Sequence, residues 1–408
     1  MPERLKNISL MNRNLVQPTT RGQLTVTKRT PSKDRVKATH EGTKHFGVRD
    51  LARLAKVSVG TVDRALNGRT GISERTRDRI LKLARENGYA PNLSARALSF
   101  SRSSLRIGLC IPREIRYFYD QLYAGFTAEA ERYRHVGLEV VYRPVKKLSS
   151  PAAHAINTLL ESKIDALVIT PGSAKSMAPL IETAERERDI RVVCIASDDS
   201  PTCRSTAISV DPNVNGSVAA ELMAKVVPSG TKVAILTGML STEEHKIKVS
   251  SFRRTFPVEC RGGTVVRIIQ GHEEEEEVFE KTLQLLREEQ DLGGIYISTV
   301  NSIPVCRAVE IEGMAGKIKI IATDLFAELT PYFLNGTLTA SIYQNPYRQG
   351  QIAVQLIVDH LLRGRPFPHT YYLNPVIALR SNLRMFREMR DTHPQLNPMD
   401  HVVIADSY

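Results

Sequence analysis

The stretch Phe46 to Gly68, FGVRDLARLAKVSVGTVDRALNG, most constrains what this chain can fold into. Val48, Leu51, Leu54 and Ala55 recur at helical spacing and predict one face of a short amphipathic helix that stops near Lys56-Val57. Ser58 then stands where an N-cap hydroxyl can accept a free backbone N–H of a second helix, Val59 to Leu66. That helix turns Val62, Ala65 and Leu66 inward and offers Val59, Gly60, Thr61 and Arg64 outward. Asn67-Gly68 ends it, since both residues tolerate the left-handed conformation of a helix stop. Two short helices joined by a tight turn form a helix-turn-helix, whose second helix enters the major groove of DNA by its N-terminal end. The pattern taken alone also fits an ordinary helical hairpin.

From Gly71 the sequence GISERTRDRILKLARENGYAPN predicts a third helix, capped by Ser73, with Ile80, Leu81 and Ala84 on its apolar face. Leu51, Leu54, Val62, Leu66, Ile72, Ile80 and Leu83 supply one small core. Such a module is only marginally stable by itself. VRDLARLAKVSVGTVDRALNG, SERTRDRILKLARENGYAPN and SARALS, in this order and spacing, resemble the headpiece of the lactose/galactose repressor family over Val48 to Ser99. One departure is Asp63, where many members carry Ser. The resemblance implies a DNA-binding role for Ser58, Val59, Gly60, Thr61, Arg64, Asn67 and Arg69. It also implies a hinge helix holding Asn92, Ala95, Arg96 and Leu98, with Leu98 at the place of a leucine that wedges into a minor-groove base step.

Charge supports the nucleic-acid reading. Of a net +12, residues 1–104 carry 22 Lys and Arg against 8 Asp and Glu, so the rest of the 408-residue chain is slightly acidic. That asymmetry is expected of a basic DNA module on a near-neutral body. Residues 1–44 read as a disordered basic tail, 45–91 as the headpiece, 92–104 as hinge and linker, 105–386 as the body, and 387–408 as a loose tail. No apolar run reaches transmembrane length. The N-terminus has no secretory apolar core, so a cytoplasmic protein with no membrane partner is expected. The five cysteines are odd in number and irregularly spaced, which argues for reduced core residues over zinc or redox pairs.

In the body, apolar strands alternate with helices from LRIGLCIP onward and then repeat, which predicts two doubly wound parallel sheets with a ligand site beyond their carboxyl ends. The body resembles the two-lobed periplasmic sugar-binding fold that serves as effector domain in these repressors, its chain crossing three times between lobes. The fold class expected is thus an all-α helix-turn-helix headpiece plus an α/β periplasmic-binding-protein-like domain.

Residues just past strand ends are the ligand candidates: Phe118, Tyr119, Asp198, Asp199, His245, Lys248, Asn301, Asp324 and Gln344. Aromatic rings suit the apolar faces of a sugar and carboxylates grip its hydroxyls, although Phe118 and Tyr119 also suit a core. Lys248 stands where the resemblance places a ligand-clamping arginine, and a point charge replaces a bidentate fork there. Neighbouring His245 is a second candidate for that grip. The run Glu273 to Glu277 reads as a helix start facing water, not as a metal site.

No P-loop, G-x-G-x-x-G after the first strand, G-x-S-x-G or metal triad is present, so neither catalytic residues nor a cofactor is expected. The function expected is a ligand-responsive transcription regulator. Its partners would be double-stranded operator DNA, a small-molecule effector of carbohydrate type, and a second copy of itself (dimer or tetramer). The competing class is an enzyme or sugar-binding protein on the same fold with an accessory basic DNA-binding extension.

Overall fold

The computed structural model describes residues 47–66, 71–87, 104–148, 150–172, 174–198 and 202–386. The expectations for 1–44, Asn67, Arg69, the hinge residues Asn92 to Leu98, Asp199 and 387–408 lie outside them.

Three helices build the headpiece: α1 (Val48–Ala55), α2 (Val59–Leu66) and α3 (Glu74–Glu86). Lys56 takes a left-handed conformation that ends α1. Ser58 Oγ then accepts the Thr61 N–H at 3.1 Å and caps α2. Ser73 caps α3 in the same way through the Thr76 N–H. Arg79 donates to the Ala55 carbonyl at the α1 C-terminus, where a cation is favoured. Leu51, Ala52, Ala55, Val62, Ala65, Ile80 and Ala84 form the buried core. Leu54 does not join it and is 46% exposed. At 100° per residue it lies roughly 110° from the centre of the face defined by Leu51, Ala52 and Ala55. Ser58→Ala removes the α2 cap and is expected to cost about 1 kcal/mol of headpiece stability, read from a thermal melt.

The body holds two six-stranded sheets. The first comprises β1 (Leu105–Cys110), β2 (Leu138–Tyr142), β3 (Ala166–Ile169), β4 (Arg191–Ile195), β5 (Thr206–Val210) and, from far along the chain, β11 (Thr370–Leu373). They lie in the order β11-β5-β4-β3-β1-β2, all parallel. The second comprises β6 (Lys232–Thr237), β7 (Thr264–Gln270), β8 (Leu292–Ile297), β9 (Lys319–Thr323), β10 (Ala340–Tyr343) and β12 (Val376–Ala378), in the order β12-β10-β9-β8-β6-β7. Only β12 runs antiparallel. The alternation of the sequence did not announce β11 and β12, because three- and four-residue edge strands carry too short a pattern. Full burial along β3 and β5 shows sheets covered on both faces, as their Val and Ile content predicts.

Helices α4 (Arg116–Glu131), α5 (Ala153–Glu161) and α6 (Ala174–Glu182) belong to the first lobe. To the second belong α7 (Pro212–Val226), α8 (Glu243–Glu259), α9 (Glu275–Glu288), α10 (Ser302–Ile311) and α11 (Thr330–Leu334). The long α12 (Pro346–Arg363) returns to the first lobe and packs on α4. The chain therefore crosses between lobes after β5, after β10 and after β11.

The pairs α4/α12 and α7/α8 touch backbone to backbone at glycine. A Cβ on Gly125 would sit 1.9 Å from the Tyr347 carbonyl oxygen, and one on Gly216 would sit 2.3 Å from that of Lys248. Gly216 thus sets the depth at which α8 delivers Lys248 to the cleft. Gly216→Ala is expected to displace that turn and to cost about 1–3 kcal/mol, read by denaturant titration.

Candidate functional site

Both sheets share the doubly wound order with its reversal between the first and third strands of each, and the loops beyond those carboxyl ends face one another across the lobes. From the first lobe come Ile115, Phe118, Tyr119, Leu148, Ala196 and Ser197. From the second come Thr242, Glu244, His245, Lys248, Glu273, Ser298, Thr299, Val300, Asp324 and Gln344. Together they enclose about 40 Å³, space for a few water-sized molecules.

The lobes are drawn together around this pocket. Thr242 Oγ1 donates to the Gly172 carbonyl at 3.1 Å. Gln121 donates to the Leu325 carbonyl and accepts the Tyr343 hydroxyl, each at 3.1 Å. Tyr117 stacks on Phe326 with ring centres 4.0 Å apart, and Lys147 pairs with Glu274 at 2.5 Å.

Inside, Lys248 is 1% exposed and forms an ion pair with Glu244, one turn earlier on α8. Its ammonium also donates to Gln344 Oε1 at 3.1 Å. Gln344 passes the chain on, its Nε2 donating to Asp324 Oδ1 at 2.8 Å. Burial pushes the Asp324 carboxyl up to about 7; Lys248 and Gln344 oppose that rise, while Glu244 and Glu273 add to it. Asp324 itself sits at φ 72°, a left-handed position that aspartate tolerates. His245 Nδ1 accepts the Met239 N–H at 3.1 Å. That contact leaves the ring proton on Nε2, which lies 3.7 Å from Glu244 and 4.0 Å from Glu273. Among the described residues, Glu273 accepts a hydrogen bond only from the Thr299 hydroxyl, at 3.2 Å to either oxygen.

The structure brings six of the expected ligand residues to one pocket: Phe118, Tyr119, His245, Lys248, Asp324 and Gln344. Phe118 and Tyr119 line the pocket and also belong to the core of the first lobe. One expectation needs correction. Asp198 is held by both oxygens in the fork of Arg204 and does not line the pocket. Asn301 precedes α10 and faces the adjoining groove, whereas β8 delivers Ser298 and Thr299 to the pocket itself. The acidic run is also divided. Glu274 to Glu277 open α9 as expected, but Glu273, at φ 60°, turns back and is buried. Glu244, Glu273 and Thr299 are the functional candidates that sequence reasoning missed. Thr299 was the findable one, as a hydroxyl immediately past a buried strand.

A wider hollow of about 530 Å³ lies at the opposite ends of the first-lobe strands, by Lys163, Arg191 and His360. Its Arg191 is committed to Glu185 and Asp189. Among the described residues no group of three or more His, Cys, Asp or Glu could hold a metal ion.

On the headpiece, Ser58, Val59, Gly60 and Arg64 are exposed and Thr61 half-exposed along one end of α2. Val59 is 45% exposed, an apolar side chain in the position from which a recognition helix meets base edges.

Comparison with known proteins gives two successive matches along the chain. Residues 48–92 match the bacterial regulatory proteins of the lacI family. Residues 107–366 match the periplasmic binding protein domain. Catabolite control protein A of Priestia megaterium is 25% identical over 322 residues, covering 76% of this chain and 91% of that protein. The HTH-type transcriptional repressor PurR of Aliivibrio salmonicida (strain LFI1238) is 21% identical over 340 residues, 82% of this chain and 98% of that protein. A solved ABC transporter solute binding protein from Burkholderia graminis C4D1M, in complex with D-arabinose, superposes with a TM-score of 0.64 at 21% identity, covering 70% of this chain and 98% of that one. That likeness speaks to fold.

Proposed function

The chain belongs to the lacI family of bacterial regulatory proteins, with a periplasmic binding protein domain as its body, and on that premise we propose that it switches transcription in response to a small polar ligand held between the lobes. The carrying observation is the pocket itself: buried hydrogen-bonding side chains converge there from both lobes, beside two aromatic rings. A carbohydrate or carbohydrate derivative fits that lining, and the solved sugar complexes of the same fold support the class. The free space between these side chains, about 40 Å³, is smaller than a sugar, so binding is tied to a change in lobe or side-chain geometry. A ligand that binds one lobe arrangement better than another shifts the population between them.

The output is an operator duplex. Val59, Gly60 and Thr61 meet base edges, and Arg64 meets phosphate. Val59 and Gly60 carry no long polar side chain, so direct readout there rests on apolar contact such as a thymine methyl. A homodimer on a near-palindromic site follows from the two-fold match between protein and half-sites. The role is regulatory and not catalytic.

The test pairs the full chain with a truncation that begins at Leu105. The full chain is expected to bind duplex DNA with an affinity that falls steeply as salt rises. The truncation is expected to lose DNA binding and keep ligand binding. Equal DNA affinity for both would defeat the reading.

A further inference from the structure

We infer that the effector carries a positively charged amino group in addition to its hydroxyls, as an amino sugar or amino polyol does; this deepens the ligand-sensor reading above and rests on it. Some of the charges in the pocket already have partners. Lys248 is the one lysine among the pocket residues, and its ammonium is taken by Glu244 and Gln344. His245 points its Nε2–H between Glu244 and Glu273 from 3.7 and 4.0 Å, longer than a hydrogen bond. Two carboxyl groups remain. Asp324, 4% exposed, takes one amide N–H from Gln344, and Glu273, 9% exposed, takes one hydroxyl from Thr299. A carboxylate offers about four acceptor positions, and a buried charge without a counter-charge is costly. Both groups line the space a ligand would enter.

Two further observations point the same way. The groove that adjoins the pocket shares Ile115, Glu273 and Val300 with it and encloses about 680 Å³. Pocket and groove together present nine carboxylates against three lysine or arginine side chains. A cleft lined by one sign of charge raises the local concentration of the opposite ion. Such an approach repels a sugar phosphate and draws in a cation. Independently, Asn301, 7% exposed at the wall of this groove, has an Nδ2 amide with no hydrogen-bond partner among the described residues. That buried donor asks for an acceptor, which a ligand hydroxyl supplies next to an ammonium held by Glu273.

The experiment takes the full chain through a thermal-shift and calorimetry panel of matched triplets. Examples are D-glucose, D-glucosamine and D-glucose 6-phosphate, with the same three forms of galactose, ribose and ribitol. The amino form is expected to bind at least tenfold tighter than its neutral match, with no response to the phosphate. Glu273→Gln is expected to reduce amino-form affinity at least tenfold. A neutral or phosphorylated form that binds as well as or better than its amino match overturns the inference and leaves the sensor reading standing, as does amino-form affinity untouched by Glu273→Gln. No response from any member of the three classes overturns both.

Discussion

Lys248→Met is expected to destabilise the body by about 3–5 kcal/mol, because it strands Glu244 beside two further acids in a buried pocket. Glu244→Gln alone strands the lysine and is expected to be damaging as well. The informative variant is the double one. With both charges gone, neither side chain leaves an unpaired buried charge, and the remaining cost is mainly the lost hydrogen bond to Gln344 Oε1. Most of the lost stability should therefore return in Lys248→Met/Glu244→Gln, giving a coupling energy of several kcal/mol in a denaturant-based double-mutant cycle. Additive single effects would mean that the two side chains do not share their burial cost, and the pocket electrostatics described above would be wrong.

The second large effect has the opposite sign. Asp324→Asn is expected to stabilise the protein, and to do so in a pH-dependent way. The carboxyl is pushed up to about 7 in the folded protein from an ordinary value of 3.8. A group whose folded value is raised binds its proton more tightly in the native state. The contribution of this group to stability is therefore greatest below pH 4, falls as pH rises toward 7, and levels off above that. Roughly three units correspond to a penalty on the order of 4 kcal/mol at pH 8. Asparagine accepts from Gln344, tolerates the left-handed backbone and carries no charge to bury. The variant should melt higher than the parent at pH 8, by a margin that shrinks steadily toward pH 4. Its effector response should weaken at the same time, the usual exchange between stability and a strained functional group. A variant that is less stable at every pH would show that Asp324 is a structural cap and not a charge held for a ligand.

The headpiece was legible because its signals are local. Ser58, Ser73 and the apolar spacing of α1 to α3 act within a turn or two of themselves, and the misplaced residues, Leu54 and Leu81, differ from their neighbours only by rotation around the helix. The two sheets were legible because strands buried on both faces carry near-continuous Val and Ile. The short edge strands β11 and β12 were not, since their pairing is decided by sheets built elsewhere.

At the site, Lys248 and His245 were found by position in a motif, and Asp324 and Gln344 by following strands to their ends. Glu273 was hidden. Its four acidic successors open a helix, and only the left-handed backbone at His272 and Glu273 turns that one side chain inward. Asp198 was misjudged for a related reason. Arg204, six positions further along the chain, takes up its carboxylate, a pairing that composition does not disclose. The offset between Asn301 and Thr299 is a matter of where β8 ends, and a strand end is the feature that alternation defines least sharply.

The central claim is that occupancy of the interlobe pocket changes the grip of α2 on DNA. Its most direct test is the affinity of the full chain for a duplex that the protein itself selects from a random-sequence pool. It should be measured by fluorescence anisotropy with and without a saturating concentration of whichever panel compound raises the melting temperature. A change of at least tenfold in the dissociation constant is expected, and it should weaken in Asp324→Asn while DNA affinity without ligand is kept. An identical affinity in the presence and absence of the bound compound would contradict it.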